Sequence, residues 1–118
     1  MTRIYVYGHN KGMQTALTAL AEPNRFHIVE LLRDKPRPVN EIVIKLKMNQ
    51  PQVSKHLRVL SDAGLVQMTP VAQQRVYSLK PQHFKELDSW LEPYRKLWEE
   101  RLDRLDEYLK ELQKKQEK

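Results

Sequence analysis

The stretch Asn49–Leu65, NQPQVSKHLRVLSDAGL, constrains this chain more than any other. It reads as one short helix with a boundary signal at each end. Asn49 is a strong N-cap, because its side-chain oxygen can accept from an amide left unpaired in the first turn. Pro51 suits that first turn, and Gly64 sits where helices commonly end on a left-handed residue. Val53, Leu57 and Leu60 are spaced i, i+4, i+7 and make a single apolar stripe. Pro51, Ser54, Lys55 and Arg58 fall on the opposite face, which is polar, positive and short of carboxylates. Such a face suits the major groove of DNA, where amides, hydroxyls and cations read base edges. An ordinary amphipathic surface helix shows the same stripe, so the flanking sequence has to decide.

On the upstream side, Asn40 is expected to cap a helix over VNEIVIKL, with Glu41 in its first turn and Ile42, Val43 and Leu46 facing inward. Lys47-Met48-Asn49 then makes a tight connection, although no glycine stands in it. Two short helices so joined, the second with a polar outer face, form a helix-turn-helix. Downstream of Gly64 the period becomes alternating in Val66–Thr69 and again in Arg75–Leu79, with Pro70–Gln74 as the intervening loop. A β-hairpin in that place adds a wing. Its tip would be Val71-Ala72-Gln73-Gln74, flanked by Arg75, and it lacks the glycine and basic cluster of a strongly gripping wing. Further upstream, Met13–Ala21 reads as a helix with Leu17 and Leu20 inward. Pro23–Arg33 reads as a well-buried helix carrying Phe26, Ile28, Val29, Leu31 and Leu32, and Asp34–Pro38 as a turn with two prolines. Residues 1–12 stand apart as an N-terminal arm or extension, with Ile4–Tyr7 as a candidate short strand.

The C-terminal third is a different kind of element. Pro81 opens a helix with Phe84, Leu87, Trp90 and Leu91 on one face, and Pro93 must either kink that helix or end it. From Tyr94 the apolar positions run Tyr94, Trp98, Leu102, Leu105, Leu109, Leu112. This is close to a heptad seam with one extra residue, and alternating charges lie between. So narrow a stripe on so long a helix reads as a dimerisation helix; packing against the first helix of the same chain is the alternative. Trp90 and Trp98 fill the dimer core or line a small-molecule pocket between helices.

Charge and composition narrow the functional classes. The net charge of +6 is uneven: residues 1–80 carry 12 Lys/Arg against 5 Asp/Glu, and residues 81–118 carry 9 against 10. A basic module joined to a balanced helix suggests a polyanion partner for one and a protein partner for the other. The absence of cysteine removes disulfides, thiolate metal sites and thiol nucleophiles. Three glycines leave no phosphate-cradling loop, and no catalytic constellation or cofactor fingerprint is present. No cofactor and no metal are expected. No apolar run reaches membrane-spanning length and no secretory h-region opens the chain, so a cytoplasmic protein is expected.

ALAEPNRFHIVELL, then VNEIVIKL, then NQPQVSKHLRVLSDAGLV, then RVYSL resembles, in this order over residues 16–80, the ArsR/SmtB family of prokaryotic winged-helix repressors. The tail LDSWLEPYRKLWEERLDRLDEYL is similar to a branch often encoded beside SRPBCC-type proteins. The resemblance implies a homodimer that binds a palindromic operator in double-stranded DNA, with Gln50, Pro51, Ser54 and Lys55 facing the groove and Arg58 nearer the backbone. His56, on the flank of the stripe, is expected to pack against the fold. Many members sense metals through cysteines or through His/Asp/Glu sets on the last helix. This chain has no cysteine, and its histidines, His9, His27, His56 and His83, stop short of that helix's second half.

The expected fold is therefore mainly α with a small β-hairpin: a winged helix-turn-helix over residues 13–80 with a C-terminal dimerisation helix over 81–118. The expected DNA-contacting set is Asn49, Gln50, Pro51, Gln52, Ser54, Lys55, Arg58, Gln73, Gln74 and Arg75. The expected dimer interface is Leu17, Leu20, Trp90, Tyr94, Trp98, Leu102, Leu105 and Leu109. Any small-molecule effector stays unidentified. The alternative is a winged-helix module that binds protein instead of DNA, since fold does not dictate function.

Overall fold

The computed structural model describes residues 11–117; the candidate strand Ile4–Tyr7 lies outside them. The elements are α1 (Lys11–Leu20), α2 (Pro23–Leu32), β1 (Arg37–Pro38), α3 (Val39–Leu46), α4 (Gln50–Asp62), β2 (Val66–Val71), β3 (Gln74–Leu79) and α5 (Pro81–Glu117). The chain forms two compact units, one running to Glu86 and one from Leu87 onward.

In the first unit, α1 to α4 and the sheet enclose one core. Ile28 of α2, Ile42 of α3, Val53, Leu57 and Leu60 of α4, and Leu65 and Val66 at the start of the sheet are fully buried. The stripe expected on α4 is thus the centre of the domain. Asn49 caps it: Oδ1 accepts the Gln52 amide at 2.9 Å. At the far end Gly64 adopts φ 77°, and the Leu65 amide reaches back to the Leu60 carbonyl at 3.0 Å. A Cβ on Gly64 would lie 2.7 Å from Nε2 of His83. Gly64→Ala therefore combines left-handed backbone strain with a displaced imidazole. It should lower stability by about 1–2 kcal/mol in a urea titration; an unchanged midpoint would show that this C-terminal turn relaxes freely.

The tight turn between α3 and α4 needs no glycine because Lys47 itself takes the left-handed conformation, φ 56°, ψ 39°. Its amide and that of Met48 bond back to the Ile44 and Val43 carbonyls, closing the end of α3. The hairpin is tighter than its composition suggests. Val71 pairs with Gln74, so Pro70 and Val71 belong to β2 and only Ala72-Gln73 turn. Ala72 carries the positive φ, 55°, that glycine or asparagine usually supplies.

Several expectations need correction. Asp34–Pro38 is not wholly a turn: Arg37-Pro38 forms β1, which pairs antiparallel with Tyr77 and Val76 of β3 and makes a three-stranded sheet of order β1-β3-β2. Arg37 is only 8% exposed. Its Nε donates to the Leu31 carbonyl at the end of α2, 2.6 Å away, and its Nη1 pairs with Glu41, so one cation of the basic half is structural. Asn40 does not cap α3; the N-cap is Pro38, with no side-chain bond. The inward face of α1 is Met13, Ala16 and Ala19, while Leu17 is 38% exposed. On α2 only Ile28 and Leu32 are buried, and Phe26 is 49% exposed.

In the second unit α5 continues through Pro93 as one helix instead of ending there. Arg95 straps the turn that proline weakens. It donates to the Asp88 carbonyl (3.1 Å) and to the carboxylates of Asp88 (2.9 Å) and Glu92 (2.6 Å). These groups are exposed, so water and salt screen the strap and its stabilisation is small. Among the described residues no helix is long and apolar enough to cross a membrane.

Candidate nucleic-acid interface

The candidate interface is built on the solvent face of α4. Burial of Val53, Leu57 and Leu60 fixes the rotation of the helix, and this turns Pro51, Gln52, Lys55 and Arg58 to solvent with Ser54 half-buried beside them. No carboxylate occurs between Asn49 and Arg58. Among the described residues Lys55, Arg58 and Ser54 carry no hydrogen bond or ion pair, which leaves their donors to an incoming polyanion. At the α4 N-terminus Pro51 has no N–H, and the Gln52 and Val53 amides are taken by Asn49, so the Gln50 amide is the backbone donor left to favour a phosphate oxygen. Asn49 spends its side-chain carbonyl on the cap, which leaves its amide as the available donor.

The wing brings a second group of residues to the same end of α4. Gln50, Gln73, Gln74 and Arg75 line one cleft of about 160 Å³, together with Asn40. Sequence reasoning missed Asn40 because it assigned that residue to a cap. The signal was present: an exposed asparagine in the first turn of α3, with a proline two residues earlier that could itself start the helix. Four amide side chains and a guanidinium around one cleft offer donors and acceptors without a carboxylate.

His56 is turned away from this face, with its side chain 18% exposed. Among the described residues its Nδ1 has no hydrogen-bond partner, and it lies 3.7 Å from the Glu22 carboxylate. Glu22 caps α2 by accepting from the Arg25 amide at 2.9 Å. Burial pushes the Glu22 carboxyl up, but the Arg25 amide, His56 and the Arg25 guanidinium outweigh it and hold it below the usual carboxylate value. The pair ties α4 to the start of α2, behind the exposed surface.

The residues expected at a dimer interface stand as follows. On α1, Leu17 is exposed and Leu20 is half-buried against the core. On α5, Trp90, Tyr94, Trp98, Leu102, Leu105 and Leu109 are all exposed. Among the described residues, no group of three or more His, Asp or Glu side chains is placed to hold a metal ion.

Comparison with known proteins gives a consistent picture. The family described as bacterial regulatory protein, arsR family, matches residues 22–68, from the cap of α2 into β2. The HTH-type transcriptional regulator Rv2034 of Mycobacterium tuberculosis is 44% identical over 66 residues, which cover 56% of this chain and 62% of the relative. The chain thus spans about three fifths of that relative's length. Among solved structures, the ArsR family transcriptional regulator RHA00566 superposes with a TM-score of 0.65 at 26% identity, over 75% of this chain and 92% of that one. The homodimeric winged helix-turn-helix DNA-binding domain of Mb0332 from Mycobacterium bovis gives a TM-score of 0.63 at 22% identity, over 75% and 82% of the two chains. The last likeness is one of fold.

Proposed function

Since this chain belongs to the arsR family of bacterial regulatory proteins, we propose that it is a sequence-specific transcriptional regulator that binds double-stranded DNA as a homodimer and represses from a palindromic operator. The observation that carries this reading is the solvent face of α4, which has no carboxylate from Asn49 to Arg58, is capped by Asn49 and is flanked by the amides and Arg75 of the wing. Residues 13–80 act as the DNA-binding part and residues 81–118 as the dimerising part. Gln50 and Ser54 reach base edges, Lys55 reaches a base or a phosphate, and Arg58 and Arg75 hold the backbone on either side.

The homodimer is supported by the apolar stripe that α5 leaves exposed, and by the homodimeric state of the Mb0332 domain. A protein-binding winged helix is the competing reading. Titration of the purified protein with duplex DNA over a salt series separates the two. A regulator shows affinity that falls steeply with salt, with a slope of roughly −0.9 per phosphate contacted. No duplex affinity even at low salt would favour the protein-binding module.

A further inference from the structure

We propose that Arg37 is a positioning residue for DNA binding: its buried guanidinium sets the wing against α4, so that Arg75 and the Ser54-Lys55 face meet one duplex together. The inference rests on the DNA-binding reading and deepens it by naming what aligns the two contact surfaces. Among the described residues Arg37 is the one buried charged side chain, with 10% of it open to solvent. It does not line the cleft that holds Gln50 and Arg75. Its charge therefore serves the inside of the fold and not a phosphate directly.

The guanidinium takes its bearings from two points that the core holds. Nε donates to the Leu31 carbonyl, 2.6 Å away, and Leu32 beside it is buried. Nη1 pairs with the Glu41 carboxylate, and Ile42 beside it is fully buried. The guanidinium fork is planar and rigid, so acceptors on α2 and α3 together fix its orientation. Val53, Leu57 and Leu60 of α4 belong to the same core. Arg37 is thus tied to the frame that sets the rotation of α4. Its own backbone is β1, where Arg37 pairs with Tyr77 and Pro38 with Val76. Arg75 is the next residue of β3 toward the wing tip, and Pro38 lines the cleft with Gln50 and Arg75. Tyr77 and Leu79 pack the base of the hairpin on the core. Nearer the tip, β2 is exposed from Gln67 to Val71, and β1 is the strand on the other side of β3. A strand of two residues, one of them a proline without an N–H, is a weak ladder. The Arg37 side chain supplies the hold that this ladder lacks.

Arg37→Met keeps an unbranched chain in place and removes the donors, and Glu41, 33% exposed, still reaches water. The probe is duplex DNA selected by the wild type from a random-sequence pool. In the wild type, Arg75→Ala should make the salt slope of binding shallower by about one for each copy in the dimer. In the Arg37→Met background the same substitution should change the slope by less than about half as much. Lys55→Ala should cost the same in both backgrounds. A role confined to stability lowers binding with the folded fraction and leaves the Arg75 share whole, so an undiminished Arg75→Ala effect overturns the proposal. An Arg75→Ala change without effect in the wild type overturns it too, because the wing then has no contact to align. Hydrogen exchange on the DNA-free, full-length protein gives a separate reading. In Arg37→Met the amides of Arg75, Val76 and Tyr77 should exchange about tenfold faster, with those of Val53–Leu60 unchanged. Unchanged exchange at the wing, in a protein that still binds DNA, overturns the role of Arg37 and leaves the DNA-binding reading intact. No duplex affinity in the wild type even at low salt overturns that reading, and this role with it, whatever the wing amides do. Arg37→Lys should fall between wild type and Arg37→Met in both measurements, since one ammonium cannot reproduce the fork. It takes the place of Arg37→Met where that variant does not fold.

Discussion

Leu57→Ala should lower the unfolding free energy of the first unit by about 2–5 kcal/mol. Leu57 is fully buried at the middle of α4, between Val53 and Leu60 on the same stripe. Its removal loses the transfer energy of its methyl groups and leaves a cavity that helices fixed on all sides cannot close. A domain of this size holds about 5–15 kcal/mol in total, so the loss is a large share. The same helix carries the candidate DNA face. DNA binding should therefore fall with the folded fraction, and saturating DNA should restore part of the lost stability. Urea unfolding followed by circular dichroism measures the effect; a cost below about 1 kcal/mol would mean that α4 is not the central packing element.

The double variant Ser54→Ala, Lys55→Ala should behave in the opposite way, leaving the fold intact and removing specific binding. Among the described residues neither side chain makes a hydrogen bond or ion pair, and Lys55 is exposed. Alanine is at least as good a helix former at both positions. On DNA the loss counts twice in a dimer. At about 1–3 kcal/mol per base contact, specific affinity should drop by about two orders of magnitude or more. The salt slope should become shallower by about one unit for each phosphate contact that Lys55 gives up. Unchanged operator affinity in a folded variant would remove these two residues from the interface.

Much of this organisation is legible in the sequence, because the elements that carry it obey local rules strongly. The α4 helix announces itself through Asn49, Pro51 and Gly64, and its buried stripe through a regular spacing; cap and burial agree with these signals. The alternating runs after Gly64 appear as β2 and β3. What is not legible depends on tertiary contacts. Lys47 and Ala72 take left-handed backbone that their side chains do not favour, which only the surrounding packing can enforce. Two residues are too few for a strand signal, so β1 appears only once β3 is beside it. Arg37 looks like one more surface cation until the open carbonyl end of α2 is placed next to it. On α1 the leucines suggest an inward face, but the helix buries the smaller Ala16 and Ala19. The cleft shared by Gln50 and the wing joins residues more than twenty positions apart, and no spacing in the sequence encodes it.

The central claim is that α4 reads DNA within a two-fold symmetric dimer. Selection of duplexes from a random-sequence pool by the full-length protein at about 0.15 M salt, where weak surface electrostatics are screened, tests it most directly. The account predicts enrichment of an inverted repeat whose half-sites are about 10–10.5 base pairs apart, centre to centre, or a multiple of that spacing. Recovery of a pool with no enriched sequence, from protein shown to be folded and dimeric, would contradict it.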